Sequence, residues 1–422
     1  MATGILRVSA TAVAQNWTRI QKHVGDDVRV GGVVKANAYG LGVGPVATAL
    51  YTAGCRDFFV VTLDEGVEVR ECLAPVASNS GGPEPRVVIM GGVDLKRPAS
   101  YLKHRLTPAI NSMPQLQAFK AEAAKHEFTT DAFGVFLQID SGMTRLGLDD
   151  GERAALLSDV AGTFGPDLRL DFVMSHLACA DDATDDFNAM QRGNFETFVN
   201  QLRVAAGGTP HHAFKCTLAN SFATFRDATL HRDMVRPGMA LYGLKPNAWR
   251  PDGAEAPSPV LRTVHLTAPV IQVLQAPKGS RVSYSGRFTC ERDSALAVVG
   301  IGAGDGFHRA IGHSGAAVYW TPAAAPPAPQ SPIAATADAT NTEPCGVDTP
   351  ATTFRLPIVG TVCMDSCVVD LTDVPPEQRP AEGAQVEVIG PHQPPDQLGA
   401  FAGTIGYEIL TSLGSRFRRI YE

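Results

Sequence analysis

The sequence predicts an α/β chain in two parts, an N-terminal (β/α)8 barrel of the TIM type followed by a mostly β C-terminal domain. Three observations predict it. Short β-branched or aromatic runs recur eight times within roughly the first 250 residues, the length such a barrel takes. The stretches between them carry helical apolar spacing. After Pro246 the pattern changes to strands separated by Gly and Pro turns, with little helical periodicity.

The barrel strands are expected at 30–35, 58–62, 86–90, 107–111, 135–140, 171–176, 213–219 and 239–242. This assigns 1–248 to the barrel, with the first few residues free to join the second domain, and 249–422 to the β domain. Pro and Gly thicken near the border, at 247–257. Strands of the second domain are expected at 264–274, 295–301, 358–370 and 385–389. A Pro/Ala-rich insertion is expected at about 316–352, where seven prolines fall between Pro322 and Pro350 and no Lys or Arg occurs from 310 to 354. Such a composition reads as a disordered surface extension.

Composition narrows the function classes. With 44% hydrophobic and 19% charged residues, 41 Gly and 30 Pro, the 422-residue chain is globular and turn-rich. A net charge of −7, from 43 acids against 36 bases, argues against a nucleic-acid or acidic-membrane partner. No apolar run reaches the roughly 18 residues of a membrane span, and 1–20 lacks a basic-then-apolar leader pattern, so a cytoplasmic protein is expected. The eight cysteines are scattered without a CxxC and read as reduced thiols. No metal is expected, because Cys363 and Cys367 have no third ligand nearby in sequence.

Barrel active sites lie where strands end. The first strand runs out at Val33-Val34-Lys35-Ala36-Asn37-Ala38-Tyr39-Gly40. A lysine there can lose its charge by desolvation and form a Schiff base with an aldehyde, although a lone strand-end lysine is usually structural. Four further strand ends change that weighting. Arg145 follows strand five, His176 closes strand six, Asn220-Ser221 follows strand seven, and Arg236-Pro237-Gly238-Met239 opens strand eight. A hydroxyl, a guanidinium and a close-approaching backbone suit a phosphate, so the set looks like a cofactor site.

These motifs, with 140–147, Ser175-His176-Leu177, Val282-Ser283-Tyr284, Asp305-Gly306, 360–365 and Gly406-Tyr407-Glu408-Ile409, stand in one order over some 370 residues. In that order the chain resembles the alanine racemases, pyridoxal-phosphate enzymes of fold type III. The resemblance implies racemisation of L- and D-alanine, supplying D-alanine for peptidoglycan or catabolising it. It implies that Lys35 holds pyridoxal 5'-phosphate covalently and is one catalytic base, with Tyr284 the opposite base. It makes His176 and Arg236 the supporting pair, hydrogen-bonded in a chain with Tyr284, and places Arg236 at the pyridine nitrogen. Phosphate contacts would come from Tyr39, Ser221, Gly238, Met239 and Tyr407, with Asn220 also among the cofactor-binding residues. Arg145 would steady the cofactor's phenolic oxygen, the Met364 N–H would meet the substrate carboxylate, and Asp365 would stand at the entrance. A homodimer with shared active sites follows, Tyr284 of one copy reaching Lys35 of the other.

Two departures stand out. Gln138 occupies a place where many members carry a carbamylated lysine that braces the arginine; a neutral amide, alone or with a bound anion, would have to hold Arg145. In Gly302-Ala303-Gly304-Asp305-Gly306 an expected aromatic is missing, which implies a wider entrance. Racemases acting on serine or basic amino acids share every residue named and remain the alternative. A fold-type III decarboxylase would carry an acid where Arg236 stands, and a non-catalytic cofactor carrier would lack the second domain.

Overall fold

The computed structural model describes residues 4–126, 132–209, 213–246, 258–322 and 352–422. It divides into two compact units, one of Val8–Val264 with Tyr421–Glu422, the other of Met1–Arg7 with His265–Ile420.

The larger unit is a closed ring of eight parallel strands. In chain order they are β1 (Arg29–Val30 and Gly32–Val33), β2 (Asp57–Val60), β3 (Arg86–Ile89), β4 (Leu106–Ile110), β5 (Phe133–Gln138), β6 (Leu168–Met174), β7 (Lys215–Thr217) and β8 (Met234–Val235). β1 closes the ring by splitting at Gly31. Its first half pairs β8, Val30 beside Val235, and its second half pairs β2, Val33 beside Phe59. A Cβ at Gly31 would lie 2.5 Å from the Phe59 ring, so only glycine fits the seam. The interior is filled by one or two side chains from most strands: Val33, Phe59, Val88, Ala109, Phe136, Phe172, Met174 and Met234. Phe136 stacks on Phe172 with centroids 4.6 Å apart.

Sheath helices start where the sequence supplies caps. Thr62 and Glu65 form a reciprocal capping box for Leu63–Ser80, and Asp149 with Glu152 does the same for Asp150–Ser158. Helix Ala10–Val24 is tied to the ring by Trp17, whose Nε1 donates to the Val30 carbonyl at 3.0 Å.

In the smaller unit six antiparallel strands close a second barrel: β9 (Val264–Ala276), β10 (Ser294–Val299), β11 (Ala317–Trp320), β12 (Phe354–Val359), β13 (Cys367–Asp370) and β14 (Gln385–Ile389). Its order is β10-β13-β12-β11-β14-β9, and β9 returns to β10. The 13-residue β9 manages both contacts because a register shift between Val270 and Gln272 turns its second half onto β10.

Seven of the expected barrel strands overlap observed ones. The eighth is corrected: Met239–Tyr242 is a 3-10 helix, and the strand is Met234–Val235 just before it. A buried apolar run of four residues has no period by which strand and helix can be told apart. The expected strand 358–370 is two strands joined by a loop, broken where Gly360 takes φ +73. β11 lies inside the expected insertion, which therefore starts later than 316. The expected border at 247–257, and 323–351 of the insertion, fall outside the described residues. Among the described residues, no helix is long and apolar enough to cross a membrane.

Candidate active site

The sequence-predicted residues divide between the two units. On the barrel, β1 ends at Val33 and the chain then makes a left-handed turn: Ala36, Asn37, Ala38 and Tyr39 all have φ between +52 and +56. Left-handed backbone costs L-residues roughly 1–2 kcal/mol each, so four in a row need support. Glu65 gives some of it. Its Oε1 accepts from the Ala36 N–H at 2.6 Å, while Oε2 accepts from Val61 and Thr62. Asn37 Oδ1 accepts from the Val43 N–H at 2.7 Å, closing the turn onto the next helix.

That turn sets two side chains. Lys35 stands half-buried at the barrel mouth, and Tyr39 stacks on Tyr242 at 4.6 Å. Tyr242 is fixed in turn by its hydroxyl, which donates to the Val33 carbonyl at 2.9 Å. Gly238 has no room for a side chain, since a Cβ there would lie 2.3 Å from the Tyr39 hydroxyl. Ser221 Oγ accepts from the N–H groups of Gly238 and Ala240 at 3.0 and 3.3 Å. Tyr39, Ser221, Gly238 and the neighbouring Met239 are thus brought together. Asn220 is beside them, but its side chain is the cap of Ser221–Arg226, accepting from the Ala223 N–H at 3.1 Å.

Around Lys35 the barrel gathers cations. Burial lowers the Lys35 ammonium below its ordinary range, and the Arg145 charge lowers it further, against the opposing pull of Glu65. His176 falls to about 3, chiefly through burial, then through Arg236, Arg145 and Lys35. Arg236, buried, follows β8 rather than opening it. It donates to the Ser175 carbonyl at 2.7 Å and to Thr217 Oγ1, and burial lowers it to about 10, so it stays charged at neutral pH. Its hydrogen bonds go to these two and to the Leu218 carbonyl at 3.5 Å, and none to His176 is found among the described residues. His176 is instead seated through its backbone, whose carbonyl accepts from the buried Gln191 amide at 3.0 Å.

Gln138 does not hold the Arg145 guanidinium. Its amide donates to the Leu146 carbonyl at 3.1 Å, so it braces the loop that carries Arg145. Arg145 is exposed, yet near enough to Lys35 and His176 to lower both.

On the β unit, Tyr284, Met364 and Asp365 are grouped by the loop at 360–366. Tyr284 sits between Ser283 and Ser285, both with positive φ, and is 67% exposed. Ser283 Oγ donates to the Thr361 carbonyl at 2.6 Å, and Thr361 Oγ1 donates to the Tyr284 carbonyl at 3.1 Å. Met364 accepts from the Gly304 N–H at 2.8 Å, while its own N–H has no partner among the described residues. Asp365 pairs with Arg416 at 2.6 Å, and the same guanidinium holds buried Asp305 at 2.7 Å. Arg416 also covers Gly304, where a Cβ would lie 2.6 Å from it. Tyr407 opens the helix Gly406–Ser412 on this unit and is 43% exposed.

Glu65, Thr361 and Arg416 are absent from the sequence reading. Glu65 had a signal, the Thr62-x-x-Glu65 spacing of a capping box, whereas Thr361 and Arg416 act through pairings 77 and 111 residues away that no local pattern encodes.

Comparison with known proteins bears on the chain as a whole. The family description "Alanine racemase, N-terminal domain" matches residues 8–246, and "Alanine racemase, C-terminal domain" matches 263–327 and 347–421. The chain is 35% identical over 422 residues to an alanine racemase of Rhizobium meliloti, covering all of this chain and 97% of the relative. It is 35% identical to a catabolic alanine racemase of Mesorhizobium japonicum, covering 93% of that protein. Among solved structures, the alanine racemase of Bartonella henselae with covalently bound pyridoxal phosphate superposes with a TM-score of 0.81 at 31% identity, each chain covered in full. With both halves matched and its relatives covered over 93% or more of their length, this chain belongs to the alanine racemase family.

Proposed function

We propose that this chain interconverts L- and D-alanine with pyridoxal 5'-phosphate held on Lys35, Lys35 and Tyr284 exchanging the Cα proton on opposite faces of the substrate. The observation that carries the reading is the strand-end lysine whose ammonium is lowered by burial and by Arg145, at the mouth of a barrel whose family is alanine racemase. A lysine freed of its proton is the nucleophile an aldehyde requires.

The residues fit the cofactor. Ser221 Oγ, the Tyr39 hydroxyl and the backbone of Gly238 and Met239 would hold the phosphate, in a cradle that a Cβ on residue 238 would fill. Arg145 would steady the phenolic oxygen, and Tyr407 would add a hydroxyl. When bound, the pyridine ring draws electrons from the substrate's Cα and so acidifies its proton. Arg236 remains protonated, so as partner of the ring nitrogen it can only donate, which limits that withdrawal and favours return of the proton over transamination or decarboxylation. His176, held neutral, can accept from Tyr284. The unpaired Met364 N–H would take the substrate carboxylate.

Racemisation needs an acid–base group on each face of Cα. Tyr284 is exposed on its own unit and is proposed to serve Lys35 of a second copy, which makes the homodimer the active form. Lys35→Ala is expected to abolish both the visible absorbance of the bound cofactor and racemisation. Retention of both would sink the reading. Tyr284→Phe is expected to slow Cα proton exchange on one enantiomer more than on the other, measured by solvent deuterium uptake; equal slowing speaks against two bases. Rates on alanine, serine and lysine decide substrate breadth.

A further inference from the structure

We propose that the N-terminal face of the barrel, opposite the Lys35 mouth, binds a small polyphosphate. The chain is acidic overall, yet seven cations line two cavities here. A cavity of about 360 Å³ is lined by Arg29, Arg56, Arg70, Arg86 and Arg105 against a single carboxylate, Glu84. A second cavity of about 250 Å³ shares Arg29 and Arg86 and adds Arg169, Lys215 and Asp171. Both volumes together suit a ligand with more than one anionic group.

The arginines are positioned but only partly neutralised. Arg56 donates to the Tyr51 and Cys55 carbonyls at 2.7 and 2.8 Å, and Arg70 to those of His104 and Pro85 at 3.1 and 2.8 Å. Carbonyls fix a guanidinium without cancelling its charge. Arg86 forms the floor: it lies over Phe136 and Phe172, 5.5 and 5.6 Å from their centroids, between Asp57 and Asp171. Its Nη1 is buried with no hydrogen-bond partner. Lys215, exposed at the start of β7, pairs with no carboxylate among the described residues. Fixed guanidinium forks match phosphate oxygens, and a multivalent anion would relieve the repulsion among like charges. An ion-pair network serving stability alone would match its charges, whereas here Asp57 is shared by Arg29 and Arg86, Asp171 by Arg86 and Arg169, and Glu84 by Arg70 and Arg105, so three carboxylates serve the seven cations of the two cavities and, among the described residues, Arg56 and Lys215 pair with none.

The test is calorimetric titration of the holoenzyme with inorganic tripolyphosphate and, separately, ATP, at low salt and at physiological salt. Saturable binding with one site per chain is expected, weakening as salt rises. Arg105→Glu and Lys215→Glu, both on the exposed rim, are each expected to weaken it by about tenfold, the scale of one charge-assisted hydrogen bond. Equal affinity for the two ligands assigns the site to a bare phosphate chain; tighter ATP binding assigns it to a nucleotide. No saturable binding, or rim variants that fold and bind as the wild type does, overturns the proposal.

Discussion

His176 shows how one residue's surroundings set its chemistry. An ordinary histidine would be half-charged near pH 6.5, but burial and three neighbouring cations hold this one at about 3. The unfolded chain therefore binds more protons than the folded one between about pH 6.5 and 3, so stability falls as pH drops through that window. Replacing His176 with Gln is expected to flatten the acid side of the stability curve of the cofactor-free chain, read from denaturant midpoints at pH 4 to 7 (roughly the window set by that shift). A variant as acid-sensitive as the parent would mean that His176 is not held neutral. Lys35 follows the same sign, lowered first by burial and then by the Arg145 charge.

At the scale of elements, the left-handed turn after β1 depends on a helix cap. Glu65 belongs to the capping box of Leu63–Ser80 and at the same time accepts from Ala36, one residue past Lys35. Glu65→Ala is expected to cost about 1–3 kcal/mol in stability, since backbone N–H groups lose a charged acceptor. It should also weaken cofactor binding, measured by titrating apoenzyme with pyridoxal phosphate. Full cofactor affinity in that variant would show that the turn holds without it. The loop at 360–366 is the corresponding device on the β unit. Its glycine breaks what the sequence reads as one strand, and the break exposes Met364 and Asp365.

For the whole molecule, the proposed sharing of Tyr284 between copies links activity to protomer concentration. Specific activity is expected to fall on dilution in step with loss of the dimer in analytical ultracentrifugation, and a fully active monomer would refute the sharing. The Pro/Ala segment has a separate expectation. Residues 328–346 lie between the two stretches matched by the family's C-terminal domain. Deleting them is expected to leave the racemisation rate within about twofold, because a change in the length of a chain connection alters its closure entropy only slightly.

Much of the site was legible because its residues sit at strand ends in fixed order. Lys35, His176, Arg145 and Ser221 could be placed from the alternation of apolar runs and polar punctuation alone. The eighth strand could not, since Met239–Tyr242 is apolar enough for either conformation, and the Tyr242 bond that ties it to Val33 reaches across the chain. Gln138 was legible as a departure, but not its partner: the Leu146 carbonyl is eight residues away across a turn. By itself the sequence determined which residue types stand at the barrel mouth and that a β domain follows, because local periodicity and turn chemistry are written in neighbouring residues. Only the tertiary structure decided their ionisation and their bracing. Burial at Lys35 and His176, the split of β1, and the reach of Arg416 to Asp305 and Asp365 arise from distances between segments far apart in the chain, where no local pattern operates.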